Sequence, residues 1–202
     1  MKTLGFDLDN TILNYEGAVR KFAEINNKFS DCRDIQTLRE RAKAFGEWVD
    51  VQSWIYTEGI KEANLEETFL STLELLLENE FEVKIISHKT SYPNSSKYLE
   101  LNETKNLRSV ATKRLEELGL FRMLGLQSLY FCDSIEEKVS KIGSMQPLAF
   151  VDDLEKVLKH KMFPHKTLRI YYQPSIERQI KSRHLPLIHI STIDELLGII
   201  LK

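Results

Sequence analysis

The stretch Phe6-Asp7-Leu8-Asp9-Asn10-Thr11 directly follows the short apolar run Thr3-Leu4-Gly5-Phe6. The apolar run predicts a buried strand, which delivers two carboxylates, spaced i and i+2, to the point where the chain leaves a sheet. A second apolar run, Pro147-Leu148-Ala149-Phe150-Val151, leads in the same way into Asp152-Asp153. Two apolar strands that each end in a pair of carboxylates predict one acidic metal pocket.

Strand-like and helix-like patterns alternate through most of the chain. The strand-like runs are Lys2–Phe6, Glu82–Ser87, Ser128–Cys132, Pro147–Val151, Thr167–Tyr172 and Pro186–Ile190. The helix-period segments are Leu65–Glu78, Asn102–Leu118, Ser134–Ile142, Asp153–His160 and Thr192–Leu201. This alternation predicts an α/β fold with a mostly parallel sheet covered by helices on both faces. Function in such sheets lies at the carboxyl ends of the strands, where the two acidic pairs are found.

One segment breaks the alternation. Residues from Tyr15 to about Asn64 read as helices with no strand among them. We therefore expect a catalytic core formed by residues 1–14 and 65–202 and a small helical lobe formed by residues 15–64. The polar and aromatic stretch from His88 to Leu101 is expected to loop over the same edge as the acidic pairs.

Composition and charge narrow the class of protein. The chain has 202 residues, of which 42% are hydrophobic and 29% charged, and a formal net charge of −2. These values indicate a globular protein with no general attraction for nucleic acid or anionic membranes. Cys32 and Cys132 lack metal-ligand spacing, and a structural disulfide is not expected. We expect no signal peptide and no membrane span, which needs roughly 20 apolar residues, and hence a cytoplasmic protein.

Carboxylates in this arrangement suit phosphoryl chemistry. An aspartate can attack phosphorus and hold the phosphoryl group as an acyl phosphate that water later hydrolyses, while a divalent cation screens the negative charges. Asp7, Asp152 and Asp153 offer the oxygen ligands that Mg²⁺ prefers. Asp9 can protonate the leaving group and then deprotonate the attacking water. The alternative, that Asp7 and Asp9 merely begin a helix or turn, is disfavoured by the second acidic pair.

Polar and cationic groups are also expected beside the acids. Ser87 and His88 end the second predicted strand, and the Ser87 hydroxyl would bind phosphate oxygens, although serines at strand ends are also common turn formers. Lys138 and Lys141 are candidates for the cation that neutralises the acids, since their helix begins at the same edge of the sheet. We choose Lys138 because it lies one turn closer to that edge; the alternative is a solvated helix lysine.

Together these elements resemble the haloacid dehalogenase-like hydrolase superfamily, in its phosphatase-type branch. Asp7-Leu8-Asp9-Asn10-Thr11 is similar to the DxDxT first motif, Ser87 to the second motif, Lys138 to the third and Asp152-Asp153 to the fourth. The resemblance covers roughly residues 1–160. It implies a Rossmann-like, three-layer core, and the helical insertion after the first strand is similar to a C1-type cap.

The resemblance also implies roles for the matching residues. The implied metal ligands are Asp7, Asp9, Asp152 and Asp153. The residues expected to bind the substrate phosphate are Thr11, Ser87, His88 and Lys138. Asp7 would act as the nucleophile, Asp9 as the general acid/base that also binds the metal through its backbone carbonyl, and Lys138 as a further catalytic residue. Because dehalogenating members lack the second aspartate of the first motif, Asp9 favours phosphoryl transfer.

These features predict a Mg²⁺-dependent phosphatase that removes phosphate from a small phosphorylated metabolite through an aspartyl-phosphate intermediate. A phosphomutase would use the same aspartates, and a non-catalytic phosphate-binding regulatory protein would share the fold, although a pure binder need not keep Asp9. The substrate and the oligomeric state stay open. Residues that would either contact the substrate or serve only core packing and solvation are Arg39, Arg41, Lys43, Trp48, Trp54, Tyr56, His88, Lys89 and Tyr92.

Overall fold

The computed structural model describes residues 2–95, 106–174 and 187–201. The chain divides into two units. The sheet unit consists of Met1–Ile12, Leu65–His88 and Met123–Lys202, and the helical unit consists of Leu13–Asn64 and Lys89–Arg122.

The helices and strands of the described residues are numbered in chain order. The described strands are β1 (Lys2–Phe6), β2 (Leu13–Asn14), β3 (Asn64–Leu65), β4 (Phe81–His88), β5 (Leu129–Cys132), β6 (Ala149–Asp152), β7 (Leu168–Tyr172) and β8 (Ile188–Ile190). The described α-helices are α1 (Glu16–Ile25), α2 (Ile35–Ala44), α3 (Trp48–Tyr56), α4 (Phe69–Glu78), α5 (Leu107–Glu117), α6 (Ile135–Met145), α7 (Glu155–Leu158) and α8 (Leu197–Ile200). Short 3₁₀ helices cover Asn27–Phe29, Gly59–Glu62, Leu120–Arg122, Leu126–Ser128 and Ile193–Leu196.

The sheet unit is built on one six-stranded sheet. Its strand order is β5-β4-β1-β6-β7-β8, and neighbouring strands run parallel throughout. Helices follow the strands along the chain and flank the sheet, as parallel strands require a crossover connection. The predicted α/β fold with a Rossmann-like core is confirmed.

The strand register decides which residues meet at the carboxyl edge of the sheet. Phe6 of β1 pairs with Ile85 of β4 on one side and with Val151 of β6 on the other. The backbone N–H of Asp7 donates a hydrogen bond of 2.8 Å to the carbonyl oxygen of Val151. Because β1 and β6 are parallel and in register, Asp7 and Asp152 leave their strands side by side.

Each face of the sheet is covered by an apolar helix surface. On one face the buried core cluster consists of Ile86, Cys132, Val139, Ile142, Phe150, Val157, Leu158 and Phe163, which joins α6 and α7 to the strands. On the other face the ring of Phe6 packs edge-on against Phe69 of α4, with ring centroids 5.6 Å apart. Removing these apolar side chains from water is the main stabilising contribution to the sheet unit.

The helical unit contains α1, α2, α3 and α5. The guanidinium of Arg114 on α5 donates two hydrogen bonds, of 2.9 and 2.7 Å, to the carbonyl oxygen of Ala63. Gly17 of α1 lies so close to the carbonyl oxygen of Glu62 that a Cβ at this position would be 2.3 Å from it. These contacts join α5 to the segment between α1 and β3.

The observed division differs from the expected one at two places. The sequence predicts residues 13–14 and 89–122 as part of the core, but they group with the helical unit. Among the contacts within the helical unit is that of Arg114 with Ala63, which joins residues 51 apart and is not revealed by a local pattern. Residues 96–101 of the predicted loop lie outside the described residues.

Among the residues that the structure describes, no helix combines the length and the apolar character needed to cross a membrane.

Candidate active site

The chain turns sharply after the first pair of acids. Asn10 has a φ of 61°, in the left-handed region that Asn enters more readily than most residues. The backbone N–H groups of Thr11 and Ile12 both reach back to the carbonyl oxygen of Leu8, at 3.4 and 3.0 Å. The turn follows directly on Asp9, and Thr11 within it is fully buried.

Three carboxylates meet at the carboxyl edge of the sheet. One oxygen from each of Asp7, Asp152 and Asp153 lies within 4.8 Å of the other two. Asp7 is 5% exposed and Asp152 is 0% exposed. The pairing of β1 with β6 therefore places an acidic cluster in a largely dry environment.

The ammonium of Lys138 bridges two of these carboxylates. Its Nζ donates to Oδ1 of Asp7 and to Oδ2 of Asp152, both over 2.6 Å. The Lys138 side chain is 1% exposed, so both hydrogen bonds are shielded from water. Hydrogen bonds between ionised partners are roughly twice as strong as neutral ones, and here they hold the two strand ends and a helix together.

Lys138 reaches the acids because of where α6 begins. Ser134 caps this helix by accepting a hydrogen bond from the backbone N–H of Glu137, at 3.0 Å. Lys138 therefore lies in the first helical turn, close to the carboxyl end of β5. Val139 on the same helix packs in the core cluster with Phe150. Phe150 precedes Asp152 by two residues, so the two side chains lie on the same face of the sheet, which is the face that α6 covers.

The second oxygen of Asp152 is also held. Its Oδ1 accepts a hydrogen bond of 2.8 Å from the backbone N–H of Leu154. With Oδ2 bound to Lys138, each oxygen of this carboxylate has a fixed partner. Sequence reasoning did not identify the Leu154 backbone N–H, although an aspartate at the end of a strand commonly accepts a bond from the residue two positions on.

Burial and mutual repulsion raise the pKa values of the acids. Burial raises the pKa of Asp7 to about 7; the ammonium of Lys138 opposes this rise, and the charges of Asp152 and Asp9 add to it. Burial, together with the charges of Asp7 and Asp152, raises the pKa of Asp153 well above its ordinary value. One cation beside three carboxylates leaves an excess of negative charge in a poorly solvated place.

Lys138 itself stays protonated. Burial alone would lower the pKa of its ammonium, but the carboxylates of Asp152 and Asp7 raise that pKa above its ordinary value. A permanently charged lysine is thus part of the site, and the acids rather than the lysine carry the unbalanced charge.

The residues present fit a hard divalent cation. Carboxylate oxygens are the ligands that Mg²⁺ prefers, and a divalent ion would offset the excess negative charge of the cluster. Asp7, Asp152 and Asp153 supply the converging oxygens. The carboxylate of Asp9 is not one of the three converging groups. The sequence resemblance assigns the backbone carbonyl of Asp9, not its carboxylate, to the metal, and that contact stays a prediction.

Two buried hydroxyl groups lie near the ends of the central strands. Ser87 is 1% exposed and Thr11 is 0% exposed. Neither Ser87 Oγ nor Thr11 Oγ1 has a hydrogen-bond partner among the described residues. Leaving a buried hydroxyl unpaired costs roughly 1–3 kcal/mol. A role in binding a ligand would explain why both hydroxyl groups are buried without a partner. Both could donate a hydrogen bond to an anionic oxygen.

The remaining candidates are engaged elsewhere. His88 is exposed, and its Nε2 lies 3.2 Å from the carbonyl oxygen of Asp133, which fits a hydrogen bond donated by the imidazole. The Nζ of Lys141 lies 4.2 Å from the ring centroid of Tyr130. Of the two candidate lysines, Lys138 is therefore the one at the carboxylates.

Comparison with known proteins adds to this geometry. No protein-family model and no curated protein sequence matches the chain. Among solved structures, a predicted phosphatase from Clostridium acetobutylicum superimposes with a TM-score of 0.61 at 14% identity, over 99% of this chain and 98% of that one. A protein assigned as HAD-hydrolase YfnB from Bacillus subtilis, bound to magnesium, gives a TM-score of 0.61 at 14% identity, over 98% and 97% of the two chains.

The fold is that of the haloacid dehalogenase-like hydrolases. A protein assigned as a β-phosphoglucomutase from Thermotoga maritima shares this haloacid dehalogenase-like fold, with a TM-score of 0.57 at 13% identity over 99% of this chain and 100% of that one. The resemblance seen in the motifs is thus confirmed at the level of the fold, while the C1-type cap stays a prediction. One fold hosts many functions, so the activity has to be argued from the site itself.

Proposed function

We propose that this protein is a Mg²⁺-dependent phosphohydrolase that removes phosphate from a small phosphorylated metabolite through an aspartyl-phosphate on Asp7. The observation that carries the proposal is the position of the Lys138 ammonium, 2.6 Å from both Asp7 and Asp152, within a cluster of three carboxylates. Buried charges are costly to maintain where apolar residues would serve the fold. Their presence at the carboxyl edge of a parallel sheet supports a catalytic role.

The metal would be held by Asp7, Asp152 and Asp153, whose oxygens converge. When bound, a divalent cation screens the charge between an attacking carboxylate and the phosphate oxygens. The hard oxygen donors of the cluster support Mg²⁺ in this role.

The first half of the proposed reaction transfers the phosphoryl group to the protein. A carboxylate oxygen of Asp7 attacks phosphorus, and the bond from phosphorus to the ester oxygen of the substrate breaks. Asp9 donates a proton to the departing oxygen. Lys138 stays charged throughout and holds Oδ1 of Asp7 in place, while the hydroxyl groups of Ser87 and Thr11 would donate hydrogen bonds to the phosphoryl oxygens.

The second half returns the protein to its starting state. Water attacks phosphorus and gives a proton to Asp9, which lost one in the first half. The bond between phosphorus and Asp7 breaks, and inorganic phosphate leaves. A phosphomutase would instead return the phosphoryl group to another hydroxyl of the substrate, so the products distinguish the two reactions.

A screen of phosphorylated metabolites tests this function. Inorganic phosphate release should depend on added Mg²⁺ and should disappear in Asp7→Asn. The matched pair Lys138→Met and Lys141→Met should differ, since only Lys138 of these two lysines lies at the carboxylates. An isomerised ester without phosphate release would indicate a mutase, and phosphate binding without turnover would indicate a regulatory protein.

A further inference from the structure

The ring of Phe150 lies next to the candidate site on the same face of the sheet. Phe150 precedes Asp152 by two residues on β6, and Gly5 precedes Asp7 by two residues on β1. The two strands pair Gly5 directly with Phe150. Because side chains two residues apart share one face of a strand, the Gly5–Phe150 pair lies on the same face as the two carboxylates. The pair is two residues closer to the amino ends of the strands.

The absence of a side chain at position 5 lets the phenyl ring lie across β1. A Cβ on Gly5 would be 2.4 Å from Cδ2 and 2.9 Å from Cε2 of Phe150. No Cβ tolerates such distances, so a glycine is required for this ring orientation. The ring therefore extends from its own strand across the strand that carries Asp7.

The same ring faces the lysine that bridges the acids. The Nζ of Lys138 lies 5.5 Å from the centroid of the Phe150 ring, within the roughly 6 Å over which a cation is attracted to an aromatic face. Phe150 is 0% exposed, and Phe163 packs edge-on against it with a centroid distance of 6.4 Å. The ring is thus held rigidly by its neighbours in the core.

We propose that Phe150 is a positioning residue, whose ring keeps the ammonium of Lys138 against Asp7 and Asp152. Its catalytic meaning rests on the function proposed above. Lysine has a flexible four-carbon side chain with three N–H donors. An aromatic face attracts that charge without offering a strong hydrogen-bond acceptor, so the N–H groups stay available to the carboxylates. A leucine has no aromatic face and would not attract the charge.

Fluorinated phenylalanines at position 150 test this proposal. Added fluorine atoms weaken the negative face of the ring and change its shape little. We expect fluorination to lower the folded-to-unfolded ratio stepwise, by a total of about two- to thirtyfold. Urea unfolding measures this ratio. The trend should vanish in a Lys138→Met background. A flat series, or the same slope in both backgrounds, would overturn the proposal.

Phe69 provides the matched control. It is buried on the other face of the sheet and packs edge-on against Phe6. Fluorination there should leave phosphate-ester turnover unchanged, whereas the series at position 150 should lower kcat stepwise. Equal effects on kcat at the two positions would argue that Phe150 serves only packing.

The exchange of the Lys138 ammonium protons with water gives a second measurement if Lys138→Met does not fold. In the otherwise unchanged protein, exchange should accelerate stepwise with fluorination at position 150, and unchanged exchange would contradict the proposal. These stability and exchange measurements do not need a substrate. An inactive protein with the expected stepwise trends would therefore refute the phosphatase function and leave the lysine-positioning role of Phe150 intact.

Discussion

The Nζ of Lys138 lies 2.6 Å from Oδ1 of Asp7, although 131 residues separate these two in the chain. The contact depends on β1, on the parallel neighbours that order the sheet, and on the capped start of α6. It therefore forms only when β1 and α6 have been brought together in the fold. A buried charge pair between residues this far apart in the chain is a sensitive reporter of both stability and activity.

Replacing Lys138 should destabilise the protein strongly. Lys138→Met leaves two carboxylates without their cation, and breaking a buried pair in this way costs about 3–5 kcal/mol. Lys141→Met, on the same helix, removes only the contact with Tyr130 and should cost less than about 1 kcal/mol. Urea unfolding at neutral pH measures both. Similar losses for the two variants would contradict the importance of the bridge.

The two acids of the first motif should differ in their effects. Asp7→Asn should abolish turnover because no nucleophile remains. Asp9→Asn should still allow phosphorylation of Asp7 by an activated ester, whose leaving group needs no proton, and should slow hydrolysis of the intermediate by roughly 10²–10⁴-fold. Rapid-quench kinetics with mass spectrometry of the Asp7 peptide separates the two steps. Equal effects of both changes on both steps would exclude these roles.

Magnesium should stabilise the folded protein through the three carboxylates. At a concentration of 100 times its Kd, the ion should add about 2.7 kcal/mol to the free energy of unfolding. Asp152→Asn should remove most of this gain. Glu155→Gln is the control, because Glu155 pairs with Lys159 on α7 rather than joining the cluster. Thermal unfolding with and without Mg²⁺ gives the comparison, and an equal gain in both variants would place the ion elsewhere.

Gly5 should tolerate no side chain. Gly5→Ala puts a Cβ 2.4 Å from the ring of Phe150, and overpacking a core costs about 1–3 kcal/mol. For Gly143→Ala on α6, the added Cβ meets no atom of the described residues within 4 Å, and this change should stabilise the helix by about 0.4–1 kcal/mol. The two alanine variants should therefore shift the unfolding midpoint in opposite directions. Shifts in the same direction would argue against the close approach at Gly5.

The stability of the sheet unit should depend on pH through Glu195. Hydrogen bonds from the hydroxyl and backbone N–H of Ser191 and from the backbone N–H of Thr192 lower the pKa of this carboxyl below its ordinary value of 4.5. A carboxylate with a lowered pKa in the folded state stabilises that state above pH 4.5, and this contribution is lost as the pH falls through the folded-state pKa. Glu195→Gln should flatten the acid limb of the stability curve. An unchanged limb would show that these bonds contribute nothing measurable.

The sequence was most informative where local pattern and chemistry coincide. The apolar run before Asp7 and the run before Asp152 predicted two strands with acids at their ends, and the structure places the strands as neighbours. Lys138 was preferred over Lys141 from the expected start of one helix, and the observed cap at Ser134 places that start as expected. The alternation of strand-like runs with helix-period segments was sufficient to predict the α/β fold.

Contacts between residues far apart in the chain could not be predicted from local sequence patterns. The predicted helix Leu65–Glu78 begins at Phe69 instead, because the backbone N–H of Glu66 donates to the carbonyl oxygen of Ile12 and extends the β2–β3 region. Arg114 of α5 donates to the carbonyl oxygen of Ala63, 51 residues earlier in the chain, and no local pattern predicts that contact. The Ser87 hydroxyl is buried and has no hydrogen-bond partner within the described part of the chain, and a serine at the end of a predicted strand does not disclose this.

The position of Lys138 in the first turn of α6 has a consequence for how such proteins diverge. The ammonium is located by the start of the helix, so the length of the helix and its connection to β6 do not affect it. Insertions or deletions after Gln146, which ends α6 with a φ of 44°, would change the 14-residue interval between Lys138 and Asp152 and leave their hydrogen bond intact. Distant relatives are therefore better sought by a lysine one turn into this helix than by a fixed number of residues before the second acidic pair.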